Sequence, residues 1–246
     1  MEHLQTLYLI FPISLLCRDL KFCILTFLKI ISIIASMYRL TALPFLQKGY
    51  RVAILGYRLY PQASVEGQAN DVSRGIRYIS ETYNARKTVV IGHSSGAHIS
   101  LLASLQGKFP ASVIGLVGMS GVYDIEQHYG YESLRGVDQI SPMKPACGTT
   151  PVNMRIRSPR WIVTSMEEKT TAATLPSLLL IHGVEDDTAL SRESIGMQEA
   201  LSNKFEKSEL VLLEDVGHAD TVLQLTLGGK SQDTILEWLN HLQTNQ

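Results

Sequence analysis

The first 48 residues contain no glycine, although 18 glycines occur in the 246-residue chain. Cysteine is scarce as well. Cys17, Cys23 and Cys147 form an odd, scattered set without a CxxC pair, which argues against a disulfide framework and against a zinc site. No charge of one sign predominates. The formal net charge is −1, so no electrostatic argument favours nucleic acid or an acidic ligand. The chain has no Asn-x-Ser/Thr acceptor, no internal repeat and no low-complexity segment. What it has is apolar: 45% hydrophobic against 18% charged residues, a composition that can bury a sizeable core and is not that of a disordered chain. The length suits one large domain or two small ones.

The glycine-free region holds two apolar runs. Residues 7–17 (LYLIFPISLLC) are too short to span a bilayer. Residues 22–38 (FCILTFLKIISIIASMY) have about the length of a minimal transmembrane helix and are interrupted only by Lys29. A secretory signal fits poorly, because the first basic residue is Arg18, Glu2 stands where positive charge is expected, and no small-x-small cleavage site follows. Three expectations stand side by side: a membrane anchor over 22–38, a buried or amphipathic core element, or a mis-built or truncated start. The chain is accordingly divided into an apolar segment, 1–48, and a folded domain, 49–246. The compartment stays open between membrane-associated and cytoplasmic.

From residue 50 the pattern is regular. Residues 51–59 (RVAILGYRL) are β-rich and bounded by Tyr60-Pro61. Over 64–83, Val65, Ala69, Val72, Ile76 and Ile79 recur at spacings of three and four, one apolar helical face. Val89 to Ile91 read as a short buried strand, 95–106 as a small-residue helix and 113–119 (VIGLVGM) as another apolar strand. Residues 121–176 are irregular, with prolines at 142, 145, 151, 159 and 176, and suit loops or a cap-like insertion. A strand over 177–181, a helix over 191–205 and a strand over 209–213 follow. The last element is an amphipathic helix, 231–243, with Ser231 as its expected N-cap. Strands without period-2 alternation, separated by helices, predict an α/β fold with a mostly parallel sheet covered by helices on both faces.

Gly92-His93-Ser94-Ser95-Gly96 fits G-x-S-x-G, a weak signal alone but one that sits between a predicted strand and a predicted helix, as a sharp nucleophile turn requires. Gly92 and Gly96 leave room for the helix to pack close to the strand. Ser94 would present its hydroxyl at the carboxyl end of the sheet, where open α/β sheets place ligands. Ser95 would start the helix, with its backbone N–H aimed at a developing oxyanion. A serine hydroxyl needs a base, and the base needs an orienting carboxylate. In this architecture they follow in the order Ser, Asp or Glu, His. The run Glu185, Asp186, Asp187 lies just past one strand, and His218 just past the next. Asp186 is the preferred acid, with Asp187 and then Asp220 as alternatives. His218 is preferred on position: His93 and His98 lie too close to Ser94 in sequence, His3 and His241 are terminal, His128 falls in the irregular region, and His182 suits a loop-shaping role.

These motifs (G-H-S-S-G, H-G-V-E-D-D and G-H-A-D, in that order) resemble the α/β-hydrolase superfamily on its carboxylesterase and lipase side. GYRLYPQ (56–62) is similar to the Y-R-L-x-P segment of hormone-sensitive-lipase-like carboxylesterases. SGVYDIEQHYGYESLRGVDQISPM (120–143) is similar to prenylcysteine methylesterase-like members. The resemblance covers residues 50–243. It implies cleavage of a small-molecule carboxylic ester through an acyl-enzyme, with Ser94 attacking, His218 relaying the proton and Asp186 holding the imidazole, and it implies no metal or organic cofactor. A prenylcysteine methyl ester is the specific expectation, and arylformamidase-type amide cleavage is also allowed. One departure stands out. The superfamily's H-G-G-G-type loop, which supplies a second oxyanion amide, has no counterpart upstream of Lys48, and the first strands of the usual sheet are missing or replaced by the apolar segment. Loss of one oxyanion donor costs on the order of a hundred- to a thousand-fold in rate. The alternative is therefore a catalytically impaired or inactive hydrolase-fold binding protein.

Overall fold

The structure, a computed structural model, describes residues 7–10, 21–26, 38–166, 175–202 and 204–244. Among the described residues seven strands form one sheet: β1 (Leu7–Ile10), β2 (Lys21–Thr26), β3 (Arg51–Leu55), β4 (Lys87–His93), β5 (Val113–Met119), β6 (Ser177–Gly183) and β7 (Ser208–Leu213). Their order is β1-β3-β2-β4-β5-β6-β7, with β1 antiparallel to β3 and every other pair parallel. All the parallel strands therefore end on one edge, and the loops that leave β4, β6 and β7 converge there.

The helices are α1 (Leu43–Gln47), α2 (Val65–Thr82), α3 (Ser95–Leu105), α4 (Ile125–Leu134), α5 (Met143–Cys147), α6 (Pro151–Arg155), α7 (Pro159–Ser165), α8 (Arg192–Ser202), α9 (His218–Leu227) and α10 (Lys230–Thr244). Alternate residues of each central strand go to opposite faces. Val89, Ile91, Val117, Met119, Leu179 and Ile181 pack under α9 and α10, against Val222, Leu225, Ile235 and Trp238. On the other face Val90 meets Val72, Ile76 and Ile99 of α2 and α3. Leu116, Leu178 and Leu180 meet Met197 and Leu201 of α8 on that face. Both faces are covered, which is why the strands read as continuous apolar runs. The helical face expected over 64–83 is α2, opened by Ser64, whose side chain accepts the Gly67 N–H.

Three expectations change. Residues 22–38 do not form one apolar helix, because 21–26 are β2, paired in parallel with β3 on one side and β4 on the other, and Cys23 is fully buried. Residues 27–37 lie outside the described residues, and among the described residues no helix is long and apolar enough to cross a membrane. The apolar character of 22–26 is that of a central strand, and the division at residue 48 cuts through the sheet. Of the two alternatives for the first strands, missing or replaced, the second holds: β1 and β2 come from the apolar segment. Ser231 does not cap the last helix, which begins one residue earlier at Lys230. The Ser231 N–H donates to Gln224 Oε1 at 3.0 Å and its own hydroxyl is buried. The irregular stretch from 121 resolves into the short helices α4 to α7 up to residue 166, two of them capped by Asp124 and Thr150 side chains. Residues 167–174 lie outside the described residues.

Candidate active site

β4 ends at His93, and the next residue, Ser94, adopts φ 54° and ψ −121° before α3 begins at Ser95. A non-glycine residue in the positive-φ region is strained. Here the strain turns the chain from strand to helix within one residue. The Ser94 N–H is held by the Met119 carbonyl at 2.9 Å, which ties the turn to the end of β5. A Cβ on Gly92 would come within 2.6 Å of the Ala97 nitrogen and of the Gly96 carbonyl, so this close approach of helix to strand requires glycine. The Ser94 side chain makes no capping bond to α3. Ser95 is the first helical residue, where backbone N–H groups have no carbonyl partner within the helix and the positive end of the helix dipole lies. Its hydroxyl meets Tyr57 Oη at 3.0 Å.

Of the acidic run after β6, only Asp186 turns inward; Glu185 and Asp187 are exposed. Asp186 Oδ1 accepts the N–H groups of Thr188 and Ala189 at 3.0 and 2.8 Å. Oδ2 accepts His218 Nδ1–H at 2.8 Å and lies 3.2 Å from His182 Nε2. Burial raises the carboxyl pKa, but the hydrogen bonds from His182, His218 and Ala189 outweigh it and hold the group well below the usual carboxylate range. Asp186 is therefore ionised, and its bond fixes the His218 proton on Nδ1, leaving Nε2 as the nitrogen with a lone pair. His218 is the first residue of α9. Asp220, the third-ranked acid, serves another purpose: its side chain accepts the Gly217 N–H at 2.9 Å and steadies the loop ahead of His218. Asp187 offers its backbone carbonyl to Tyr131 Oη and Arg135 Nη1.

Two histidines set aside on sequence grounds support this pair. His182 is fully buried; its Nε2–H donates to the Ala189 carbonyl at 2.7 Å and its Nδ1 pairs with Ser194 Oγ at 2.7 Å, so it shapes the 186–189 loop that presents the carboxylate. His93 Nε2–H donates to the His218 carbonyl at 3.0 Å, and the two rings lie 4.9 Å apart. That contact places His218 beside the Ser94 turn. Burial, and then the neighbouring His218, lower the His93 pKa to about 4, so it acts as a neutral donor. The strand-end position of His182 and the G-H-S spacing of His93 were visible in the sequence, but their partners come from loops that only the fold brings near.

A cavity of about 480 Å³ opens beside Ser94 and Ser95. Val65, Ile99, Ile125, Met143 and Ala146 give it an apolar wall, and His98, His128 and Glu132 bring polar groups to it. Several of these residues come from the 121–147 stretch, so the helices of the insertion form one side of the cavity.

Among curated proteins, an isoprenylcysteine alpha-carbonyl methylesterase of Arabidopsis thaliana is 28% identical over 74% of this chain and 46% of its own length. A probable enzyme of the same name from Oryza sativa is 27% identical over 78% of this chain and 49% of its length. A Drosophila melanogaster kynurenine formamidase is 24% identical over 73% of this chain and 59% of its length. The chain thus spans about half the length of the methylesterase relatives it matches. Among solved structures, an inhibited esterase B from Lactobacillus rhamnosis superposes with a TM-score of 0.79 at 16% identity, covering 98% of this chain and 82% of that one. A truncated carbohydrate esterase from gut microbiota gives 0.75 at 18% identity, over 97% and 90%. These structural likenesses show the α/β-hydrolase fold. The BD-FAE family matches residues 33–201, more than half of the sequence, and the chain belongs to that α/β-hydrolase family.

Proposed function

We propose that the chain is a serine hydrolase that cleaves a small carboxylic ester through an acyl-enzyme. The observation that carries this reading is the Asp186–His218 hydrogen bond of 2.8 Å standing beside the strained Ser94 turn. Ser94 Oγ attacks the ester carbonyl, and His218 Nε2 takes its proton and returns it to the leaving alkoxide. Asp186 holds the tautomer and stabilises the imidazolium that forms. The Ser95 N–H accommodates the charge on the tetrahedral oxygen. Water then repeats the sequence on the acyl-enzyme. The apolar cavity and the names of the methylesterase relatives support a prenylcysteine methyl ester as the substrate, and the formamidase relative supports activated small amides as a further class. The insertion helices α4 to α6 would choose among them.

A second reading, a ligand-binding protein without turnover, is favoured by one observation: residues 1–48 contain no glycine, so no H-G-G-G-type segment, the usual source of a second oxyanion amide, stands upstream of Lys48. Hydrolysis of 4-nitrophenyl acetate and butyrate by the wild type and by Ser94→Ala, each checked for folding by circular dichroism, separates the two. The hydrolase reading expects turnover that disappears in the folded Ser94→Ala protein. No turnover by a folded wild type would leave the binding reading.

A further inference from the structure

Gly92-His93-Ser94-Ser95-Gly96 holds two adjacent serines, and of the second only the backbone N–H has a role in the hydrolase chemistry above. Its side chain is half of a hydroxyl pair. Ser95 Oγ lies 3.0 Å from Tyr57 Oη, and Tyr57, only 3% exposed, belongs to the core that also holds Leu55, Val65, Ala69 and Ile99. Burial holds the phenol well above its ordinary pKa, against the opposing effect of the Ser95 bond, so Tyr57 is neutral and keeps its proton. Among the described residues Ser95 Oγ is the one hydrogen-bond partner of Tyr57 Oη. The direction of the bond follows from this. A phenol is a stronger acid than an alcohol and so the better donor. A Tyr57 that accepted would also leave its own proton buried without an acceptor, the costlier arrangement. Tyr57 therefore donates and Ser95 accepts, which leaves the Ser95 hydroxyl proton over. Ser95 lines the cavity together with Ser94, and among the described residues neither this proton nor the Ser95 backbone N–H has an acceptor.

The nitrogen and the hydroxyl oxygen of one serine are three covalent bonds apart, so both donors can meet on a single oxygen atom. Two donors without acceptors are complementary to an oxygen that carries negative charge. No H-G-G-G-type segment stands upstream of Lys48 to add a second amide. We propose that Ser95 supplies both donors of the oxyanion pocket, its N–H and its hydroxyl, and that Tyr57 is the positioning residue that aims the hydroxyl. As Ser94 Oγ adds to the ester carbonyl carbon, the C=O π pair moves onto the oxygen, which accepts both Ser95 hydrogens; the two protons stay on Ser95. The pair returns to the carbonyl as the alkoxide leaves with the proton from His218. The catalytic role rests on the hydrolase reading above; the binding of an anionic oxygen by Ser95 does not.

Two measurements on the full chain test this, with folding of each variant checked by circular dichroism. In the first, kcat and KM for 4-nitrophenyl butyrate are compared for the wild type, Ser95→Ala, Tyr57→Phe and the double variant. Ser95→Ala keeps the N–H and is expected to lose about a hundred-fold or more in kcat, with KM changed by less than about three-fold. Tyr57→Phe is expected to lose about ten-fold, and the double variant no more than Ser95→Ala alone, because Tyr57 acts only through that hydroxyl. A Ser95→Ala kcat within about three-fold of wild type, or losses that multiply in the double variant, would overturn the proposal. In the second, the Ser94→Ala chain, with and without Ser95→Ala, is titrated calorimetrically with 4-phenylbutyrate and with the neutral 4-phenyl-1-butanol. Ser95→Ala is expected to weaken the carboxylate about ten-fold or more and the alcohol less than about three-fold, a difference that a general disturbance of the cavity would not produce. No binding of the carboxylate, or equal loss of both compounds, would overturn the donor pair. A wild type without turnover whose carboxylate binding depends on Ser95 would remove the hydrolase reading and keep the pair as an anion site. Turnover indifferent to Ser95→Ala would keep the hydrolase and remove the pair.

Discussion

Ser94 carries backbone strain where the chain turns from β4 into α3. Its φ of 54° costs on the order of 1–3 kcal/mol for a residue with a Cβ. Glycine adopts the conformation without that penalty but loses about 0.5–1 kcal/mol more backbone entropy on folding. Strain relief outweighs this entropy loss. Ser94→Gly is therefore expected to be more stable than Ser94→Ala by about 1 kcal/mol in urea unfolding, the reverse of the order at an ordinary helix start. Alanine equal to or above glycine would mean the turn is not strained. Two neighbouring side chains give the domain a pH dependence. Burial lowers His93 and His98 to about 4 from an ordinary value of 6.5. Between those values the unfolded chain binds protons that the folded one does not, so stability falls as the pH drops from 6.5 towards 4 and levels off below. From pH 7 to pH 5 each imidazole is expected to remove about 2 kcal/mol. Asp186 has the opposite sense: its depressed pKa contributes stability throughout that window and loses it only below the ordinary carboxylate range. Urea titrations at pH 7 and pH 5 should show the drop, and His93→Asn, which keeps an N–H donor for the His218 carbonyl, should lose about half of it. An unchanged slope in that variant would assign the pH dependence elsewhere.

At the scale of elements, one buried side chain ties the start of the insertion to α8. Glu193 of α8 accepts the N–H groups of Tyr123 and Asp124 at 2.9 and 2.8 Å, where the chain enters α4. Burial raises its pKa, and those two bonds oppose the rise. Glu193→Ala would orphan both buried donors at about 1–3 kcal/mol each, whereas Glu193→Gln keeps an acceptor and should cost less than half as much. Unfolding in urea decides this, and an alanine variant within about 0.5 kcal/mol of wild type would show that α4 is held by other contacts. None of this was legible in the sequence, because a glutamate three residues after Leu190 in an exposed-looking run has no local sign of its distant partners. The elements that were legible have signals of their own. α2 spans 18 residues, so five apolar positions define its face, and Ser64 opens it. α5 and α6 have only five residues each, too few for a helical period to appear, so the proline-rich stretch read as irregular. The Asp186–His218 contact and the turn at Ser94 were legible because each of these residues lies within a few positions of the end of a recognisable strand. His182 and His93 were not assigned to the pair they support, since their contacts cross from one strand-end loop to another.

The whole molecule depends on a strand from the region that looked least like part of it. Short apolar strands and apolar helices have the same composition, and length alone favoured a helix over 22–38. The deciding fact lies in the topology. β2 is inserted between β3 and β4, so five of its residues pair with β3 and six with β4. A chain cut to 49–246 would keep β3 but leave it without either neighbour, since β1 would go as well. The exposed edges would fall on β4, in the middle of the core, with its N–H and C=O groups unpaired and the Val89, Ile91 and Val117 layer open to water. Cys23, Ala42 and Phe45, all fully buried beneath that layer, would be lost with it. Removing an interior strand takes away more than the few kcal/mol by which a domain of this size is stable. The 49–246 fragment is therefore expected to expose apolar surface, binding the dye ANS and unfolding without a cooperative transition, while the full chain melts cooperatively. A fragment with a sharp urea transition and intact near-UV circular dichroism would show that β3 can pair with β4 directly. In that case residues 1–48 would be an addition to the hydrolase domain and not a part of its sheet.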